Sequence, residues 1–382
     1  YRYLFYTHRN NIYISNIYWY SAIDTSPLSQ YVMHPTWNAV VKFIPKWIAP
    51  NLITFAGFLC MVVAVLLMCV YDYDFYAAGG RPGMPEYPCE IPSWAFTTCG
   101  LLVLLAYNLD GIDGKQARRL GVSGPLGELF DHGLDSYIVF LIPFSIISIF
   151  GRHQEFSVMV LTFYISHCEK YNTGTLYLPW AYDFSMWVST RHHELKKKIM
   201  YSYLDNWYFQ LVYQVYMIGN VTFPMVFEVF VHFVGTTTTL PVAIYNVYLS
   251  YGTRSGNMYS IPEAIRPVWS LFTVTTAMIV WAVHSPSNII EYHPRAFIFL
   301  YGTIFSSISC RLIIAEMTHQ RCELLNWMFW PLAAGVATSV YQPQLEPAVL
   351  YTLIAMCLLA HVHYGVCVVR QICDHLKIKN SR

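Results

Sequence analysis

The sequence contains few charged residues, and this scarcity excludes most classes of soluble protein. Asp, Glu, Lys and Arg together make up 12% of the 382 residues, whereas hydrophobic residues make up 55% and aromatic residues 17%. Ordinary soluble domains carry roughly twice that charged fraction. The formal net charge of +1 also lacks the basic excess that nucleic-acid-binding proteins present. We therefore expect the chain to reside in a lipid bilayer and to have no nucleic-acid partner.

The ten cysteines are scattered, and no two of them are separated by two residues. This spacing favours neither a zinc site nor a disulfide framework. The first residues also lack the basic, apolar and small segments of a cleavable signal peptide. Membrane insertion is therefore expected to depend on the first internal apolar run.

Long apolar runs recur along the chain, and a membrane-spanning helix needs about 20 such residues. They predict an all-α, polytopic membrane helix bundle with about ten transmembrane helices. Most of the Lys and Arg residues fall in loops on one side of this topology, which the positive-inside rule assigns to the cytosol. The predicted spans are 51–70, 93–109, 136–150, 156–168, 207–223, 231–250, 267–284, 296–314, 325–341 and 349–369.

A shorter amphipathic segment, residues 36–48, precedes the first span. Its apolar residues, among them Trp37, Ile44 and Trp47, follow helical spacing and leave two lysines elsewhere. This pattern predicts an interfacial helix with its aromatic rings at headgroup level, and an ordinary core-facing helix is the alternative. The sequence is accordingly divided into a polar N-terminal lead-in (1–35), the interfacial helix (36–48), a membrane domain (49–370) and a cytosolic C-terminal tail (371–382).

Four aspartates stand beside apolar runs, where charge is expensive unless it has a partner. Asp110 and Asp113 are three residues apart, and Asp131 and Asp135 are four apart, so each pair shares one helical face. Two glycines and Pro125 between the pairs predict a turn that joins two antiparallel helices. The four carboxylates would then face one small volume. Oxygen ligands suit Mg²⁺ or Mn²⁺, and Mg²⁺ is usually bound together with substrate phosphates. Simple pairing with arginines inside a bundle is the alternative.

The same stretch meets the pattern D-x2-D-G-x2-A-R-x8-G-x3-D-x3-D at every fixed position. Eight specified residues at fixed spacing are a far stronger signal than a lone glycine-rich loop. The string resembles the signature of the CDP-alcohol phosphotransferases, integral membrane enzymes that move a phospho-alcohol from CDP to an acceptor hydroxyl. The matching residues are Asp110, Asp113, Gly114, Ala117, Arg118, Gly127, Asp131 and Asp135.

The reaction of such an enzyme gives these residues separate expected roles. Asp110, Asp113 and Asp131, with Asp135 as a shared or fourth ligand, would hold one or two metals that bridge the pyrophosphate. Arg118 offers a planar donor fork to phosphate oxygens. The resemblance further implies that four residues contact the CDP-alcohol, namely Asn51, Gly114, Ala117 and Gly127.

Two residues are candidates for the base that takes the proton from the acceptor hydroxyl. The resemblance suggests Asp135, whereas chemistry suggests His132, because imidazole titrates nearer neutral pH than a carboxylate. The alternative role for His132 is to orient its neighbour Asp131. Other polar residues in apolar runs could reach the site or only link helices by hydrogen bonds: His167, Glu169, His361 and His363.

Further blocks of sequence, including KWIAPNLITFAGF, SHCEKYNTG and LLAHVHYGV, resemble the eukaryotic ethanolaminephosphotransferases of the selenoprotein I type. That resemblance implies transfer of phosphoethanolamine from CDP-ethanolamine to diacylglycerol or an alkyl-acyl analogue, which gives phosphatidylethanolamine. It also implies a homodimer in the endoplasmic reticulum or Golgi membrane with its site facing the cytosol.

Two other functions are weighed against this one. A choline or dual choline/ethanolamine phosphotransferase keeps the chemistry, and an aromatic-rich chain could line a quaternary ammonium. An ion-coupled membrane transporter is the alternative from another class. Transporters often carry repeated halves with ion sites near mid-membrane, whereas these aspartates cluster once and no second half repeats them.

Overall fold

The structure is a computed structural model that describes residues 21–24, 26–76, 91–150, 157–178, 229, 233 and 235–375. These residues are mostly helical, with short π-helical segments before α1 and α6 and a 3-10 turn before α11. The predicted all-α bundle is confirmed. The helices are α1 (His34–Val40), α2 (Pro50–Tyr71), α3 (Ser93–Leu120), α4 (Pro125–Phe150), α5 (Ser157–Thr173), α6 (Leu240–Thr253), α7 (Ile261–His284), α8 (Ile289–Tyr292), α9 (Pro294–Met317), α10 (Phe329–Tyr341) and α11 (Glu346–His375).

Within the described ranges, five helices are long and apolar enough to cross a membrane. They are α2, α3, α7, α9 and the segment Pro343–Asp374, most of which is α11. The other predicted spans coincide at least in part with α4, α5, α6 and α10. The predicted span 207–223 lies outside the described residues.

The helix α9 lies at the centre of the bundle, and 72% of its most apolar window is buried. It packs against α4, α5, α7 and α11. The approach to α4 is close because Gly302 of α9 leaves no room for a side chain beside the Phe140 ring. This contact fixes α4, which carries two of the aspartates, against the core.

The turn between α3 and α4 begins and ends at the predicted glycine and proline residues. Gly121 adopts the left-handed conformation at φ 68°, and Val122 N donates to Ala117 O in the pattern that ends many helices. Pro125 then opens α4. The C-terminal end of α3 and the N-terminal end of α4 therefore lie at the same end of the bundle.

The amphipathic segment differs from the predicted helix over residues 36–48. The helix α1 ends at Val40 and the chain continues in turns, because Pro45 disfavours helical backbone at the residue before it. Trp37 is buried, whereas Trp47 is 81% exposed. The aromatic residues of this segment therefore divide between the core and the surface.

Two further details were absent from the sequence-based description. A short parallel pair joins β1 (Ala22–Asp24) to β2 (Leu176–Leu178), which ties the N-terminal lead-in to the chain after α5. At the other end, α11 continues to His375, into the segment predicted as a tail, because Ile372 and Cys373 are buried. Residues 376–382 lie outside the described ranges.

Candidate active site

Two helix ends bring three of the predicted metal ligands together. Asp110 and Asp113 lie near the C-terminal end of α3, and Asp131 lies near the start of α4. One carboxylate oxygen from each residue lies within 4.8 Å of the other two. Asp113 is only 5% exposed. The helices thus face each other as the aspartate spacing predicts.

This donor set fits a divalent cation. Carboxylates this close repel one another unless a cation or protons compensate their charge. Asp131 Oδ1 is buried and has no hydrogen-bond partner within the described ranges. Carboxylate oxygens are the ligands that Mg²⁺ and Mn²⁺ favour. An ion with open coordination positions would satisfy that oxygen and still leave room for phosphate.

Asp135 lies one turn further along α4. It is close enough for its charge to interact with those of Asp110 and Asp113. Its oxygens are not part of the three-carboxylate group found among the described residues. Its role as a shared or fourth ligand stays a prediction.

The start of α2 supplies two polar side chains to the site. Thr54 Oγ1 donates to Asp113 Oδ2 at 2.6 Å. Asn51, one turn earlier, points its amide oxygen at Gly127, since a Cβ there would lie 3.8 Å from Asn51 Oδ1. Three helices, α2, α3 and α4, therefore enclose the predicted CDP-binding residues.

The predicted phosphate donor, Arg118, folds back along α3. A Cβ added to Gly114 would lie 3.4 Å from the Arg118 guanidinium, which therefore covers this glycine. Arg118 itself is exposed, and Ala117 beside it is half-buried. The positively charged guanidinium of Arg118 is thus available about one turn from Asp113, on the solvent-exposed side of α3.

Side chains of α3 also hold the turns that follow α1. Gln116 Nε2 donates to the carbonyls of Pro45 and Ile48, at 3.1 and 3.2 Å. Arg119 donates to the carbonyls of Val41 and Ile44, at 2.6 and 2.8 Å. These bonds replace the helical hydrogen bonds that the segment lacks, and they fix the chain just before Asn51 and Thr54.

Trp37 adds a further contact between α1 and α3, just before the aspartates of α3. Its indole nitrogen donates to Asn108 Oδ1 at 3.2 Å. Its ring covers Gly111, where an added Cβ would lie 2.2 Å from the indole carbons. Gly111 follows Asp110 directly, so the first segment of the chain packs against the metal-site helix itself.

A buried ion cluster joins α4, α5 and α9 beside the aspartates. Lys170 of α5 pairs with Glu128 of α4 and, at 3.1 Å, with Glu316 of α9. Its side chain is 2% exposed. The predicted span 156–168 ends before Lys170, whereas α5 continues to Thr173 and buries this lysine. This cluster lies one helical turn from Asp131.

His132 contacts this cluster. Its Nδ1 lies 4.0 Å from Glu128 Oε1, and its ring meets that of His167 edge-on with the centroids 5.3 Å apart. Glu169 lies outside this contact, because its carboxylate accepts from Asn246 Nδ2 at 2.6 Å. His132 thus has a carboxylate partner beside the aspartate group.

The other predicted histidines lie on α11. His361 Nε2 is 3.4 Å from Ser306 Oγ, whereas His363 is exposed and contacts Cys367. Among the described residues, neither ring nitrogen belongs to the group of ligand atoms formed by Asp110, Asp113 and Asp131.

The sequence pattern did not predict Thr54, Gln116, Arg119 or the ion cluster as parts of the site. Thr54 was detectable, since it lies one turn after Asn51 and so on the same helical face. Gln116 and Arg119 share the block DGKQARR with Asp113, which was a weaker signal. Nothing in the spacing connects Lys170 with Glu128 or Glu316, because these contacts depend on how three helices pack.

Comparison with known proteins agrees with this site. The model of a family described as CDP-alcohol phosphatidyltransferase matches residues 47–241. Ethanolaminephosphotransferase 1 of Mus musculus is 42% identical over 374 residues, which cover 94% of this chain and 90% of the relative. The Homo sapiens protein of the same name is 42% identical over 381 residues with the same coverage. Choline/ethanolaminephosphotransferase 1 of Arabidopsis thaliana is 27% identical over 389 residues and 94% of each chain.

The matched region begins just before α2 and includes all four aspartates. It therefore contains the three helix ends that form the site. The apolar helices, the carboxylate group and the relatives that cover nearly the whole chain identify this protein as an integral membrane transferase of the CDP-alcohol phosphotransferase family.

Proposed function

We propose that this protein is an ethanolaminephosphotransferase. It transfers phosphoethanolamine from CDP-ethanolamine to the hydroxyl of diacylglycerol, or of an alkyl-acyl analogue, and yields phosphatidylethanolamine and CMP. The observation that carries this proposal is the group of Asp110, Asp113 and Asp131 at the end of the bundle where Arg118 is exposed. The 42% identity to proteins named ethanolaminephosphotransferase 1 supports the choice of head group.

The three aspartates are the proposed ligands of Mg²⁺ or Mn²⁺, with Asp135 as a fourth. A divalent cation bound there supplies charge neutralisation for the pyrophosphate. Thr54 orients Asp113 by its hydrogen bond. The role of the protein is mainly to position the substrates, because phosphoryl transfer needs alignment and electrostatic stabilisation more than covalent help.

The CDP part of the donor lies, in this proposal, between Asn51, Gly114, Ala117 and Gly127. Gly127 leaves space beside the backbone. Arg118, whose guanidinium covers Gly114, donates to phosphate oxygens. The acceptor oxygen attacks the phosphorus that carries ethanolamine. A new O–P bond forms, the bond from that phosphorus to CMP breaks, and the hydroxyl proton passes to a base.

We assign the base to His132, with Asp135 as the alternative. The carboxylate of Glu128, 4.0 Å from His132 Nδ1, would stabilise the imidazolium that forms. Lys170 holds Glu128 in that position. If His132 only orients Asp131, the base is Asp135.

We also propose that the protein resides in the endoplasmic reticulum or Golgi membrane with the site facing the cytosol, and that it is a homodimer. The bias of basic residues toward one side of the predicted topology supports this orientation. A choline-transferring or dual activity is the second candidate, because a relative named choline/ethanolaminephosphotransferase also matches 94% of the chain.

The test is an assay of the purified protein with diacylglycerol and either CDP-ethanolamine or CDP-choline. We expect phosphatidylethanolamine to form much faster than phosphatidylcholine. Equal rates would replace the proposal with a dual enzyme, and no product from either donor in a folded protein would refute it. In parallel, His132→Ala should lower kcat with little change in the metal requirement, because it removes the base, whereas Asp135→Asn should raise the metal requirement, because it removes a ligand. The opposite pattern would make Asp135 the base.

A further inference from the structure

The segment between α1 and α2 exposes two large aromatic rings and two cations. Phe43 is 86% exposed and Trp47 is 81% exposed. Lys42 and Lys46, which precede them in the chain, are also exposed. Aromatic rings next to lysines are characteristic of protein segments that lie in the headgroup region of a bilayer. We call residues 41–49, which lead directly into α2, the entry segment.

Hydrogen bonds to α3 fix the inner side of the entry segment. Gln116 and Arg119 of α3 donate to four of its backbone carbonyls, at distances of 2.6 to 3.2 Å. These bonds hold the backbone against α3. They leave the side chains of Phe43 and Trp47 on the surface, where the rest of the described chain does not cover them.

The position of the entry segment relative to α2 places it at the edge of the bilayer. The 22 residues of α2 form a helix about 33 Å long, close to the roughly 30 Å of a hydrocarbon core. Leu52 and Phe55, in the first two turns of α2, are exposed, and exposed apolar side chains of a spanning helix face lipid tails. The entry segment precedes these residues, so it lies where the lipid headgroups begin.

The charge of the entry segment selects the kind of headgroup. Lys42 and Lys46 have no acidic neighbours along the chain, because residues 25–71 contain neither Asp nor Glu. Arg119, at the end of α3, is a further exposed cation. Each lysine near an anionic membrane surface strengthens binding about fivefold, and a zwitterionic surface gives no such gain. The entry segment therefore fits an anionic phospholipid.

The entry segment is also connected to the aspartate group in two ways. It continues directly into the first turns of α2, where Thr54 donates to Asp113 Oδ2. Its carbonyls are bound by Gln116, which lies three residues after Asp113 on α3. A lipid that holds the entry segment in place therefore also restrains the start of α2 relative to the aspartates of α3.

We propose that the entry segment binds anionic phospholipids of the leaflet that surrounds the site, and that this binding positions the first turns of α2. The lipid phosphate lies at Lys42 and Lys46, and the rings of Phe43 and Trp47 enter the headgroup layer. The lipid site itself requires only that the protein spans a bilayer, whereas its effect on the rate of transfer rests on the proposed function.

The test measures hydrogen exchange and activity of the full-length protein in nanodiscs of phosphatidylcholine with and without phosphatidylserine. The test variant combines Lys42→Gln with Lys46→Gln, which removes two exposed cations and no backbone hydrogen bond. The kcat is measured at saturating CDP-ethanolamine, diacylglycerol and Mn²⁺, because a charged membrane surface also changes the local concentrations of charged substrates and ions.

The matched control combines Arg254→Gln with Arg321→Gln, which removes the same charge from two exposed positions. Both positions lie at the same end of the bundle as the ion cluster. The loop of Arg321 follows the end of α9 that carries Glu316. In the loop of Arg254, Asn257 N donates to Asn172 O, at the end of α5 that contributes the lysine of the cluster.

We expect phosphatidylserine to slow hydrogen exchange of residues 41–49 at least about fivefold in wild type and in the arginine control. It should also raise kcat several-fold in both proteins. The lysine variant should show neither response. Glycerophosphoserine, which carries the same headgroup without acyl chains, should not slow exchange, because the proposed site lies at the surface of the bilayer.

The proposal is overturned if phosphatidylserine leaves exchange in residues 41–49 unchanged, or slows it equally in the lysine variant. An active protein whose kcat does not respond to phosphatidylserine also overturns it. Slow exchange with glycerophosphoserine would show a site for soluble anions instead. Slow exchange in phosphatidylcholine alone, seen only when two copies share a nanodisc, would show that a second copy covers the entry segment.

Hydrogen exchange does not depend on turnover, so the two proposals can fail separately. A wild-type protein whose entry segment is protected by phosphatidylserine but which makes no phosphatidylethanolamine would refute the proposed function and leave the lipid site standing.

Discussion

Thr54 Oγ1 donates a hydrogen bond to Asp113 Oδ2 at 2.6 Å, and this contact joins the first long helix to the metal-site helix. Both residues are at least 90% buried. The bond holds one carboxylate oxygen in place and leaves the other oxygens of the aspartate group for a cation. It also makes the position of Asp113 depend on the segment that precedes α2.

Replacing Thr54 by Val removes the hydroxyl and keeps the shape of the side chain. We expect activity or metal affinity to fall by about 10–100-fold, the usual effect of losing a group that orients a metal ligand. Thr54→Ser keeps the donor and should retain most of the activity. Initial rates over a Mn²⁺ titration give the result, and identical titration curves for the two variants would contradict this role.

Gly111 permits the contact between Trp37 and the metal-site helix. A Cβ there would lie 2.2 Å from the indole ring, so Gly111→Ala should destabilise the protein by about 1–3 kcal/mol. Gly124→Ala is the control, because its Cβ meets nothing within 4 Å. Thermal unfolding in detergent compares the two. If Trp37 is the cause, Trp37→Leu should recover much of the loss in the Gly111→Ala background.

Lys170 compensates two buried carboxylates. Lys170→Met removes the cation that Glu128 and Glu316 share and should cost about 3–5 kcal/mol of stability. Adding Glu316→Gln removes one of the two carboxylate charges and should restore part of the lost stability. Lys42→Met, at an exposed position, is the control and should change the unfolding temperature little. A Lys170→Met protein as stable as this control would contradict the ion cluster.

Gln116 holds the turns before α2 through the Pro45 and Ile48 carbonyls. Gln116→Leu keeps the side chain buried but removes both donors. We expect faster hydrogen exchange in residues 41–52 and lower activity, because Asn51 and Thr54 follow directly. Lys115→Met serves for comparison, since Lys115 lies next to Gln116 but donates its hydrogen bond to Asn38 Oδ1, outside residues 41–52. Unchanged exchange in Gln116→Leu would show that this attachment is unimportant.

The helices that carry the aspartates were predictable from local signals. Gly121 and Pro125 determine where one helix ends and the next begins, and the spacing of Asp110 and Asp113 determines which face they share. The approach of Asp131 follows from that turn. These features depend on residues close together in the chain. The helical spacing and the glycine and proline residues were therefore sufficient to predict them.

The contacts that support the site could not be derived in this way. Lys170 follows the predicted span 156–168, and only the packing of three helices places it between Glu128 and Glu316. The sequence pattern predicts a helix for the segment after α1. The turns that form there depend on Pro45 together with hydrogen-bond donors from α3. Both cases require long-range packing information that a local pattern does not contain.

The role of the aspartate group can be tested by measuring the phosphatidylethanolamine that the purified protein forms from CDP-ethanolamine and diacylglycerol. Wild type should form product with Mn²⁺ or Mg²⁺ and lose it when the metal is chelated. Asp131→Asn should remain folded, but its rate of product formation should fall by at least about 100-fold, because the variant loses several kcal/mol of charge stabilisation in the transition state. Product formation by Asp131→Asn at the wild-type rate, or by chelated wild type, would contradict the account of the aspartate group.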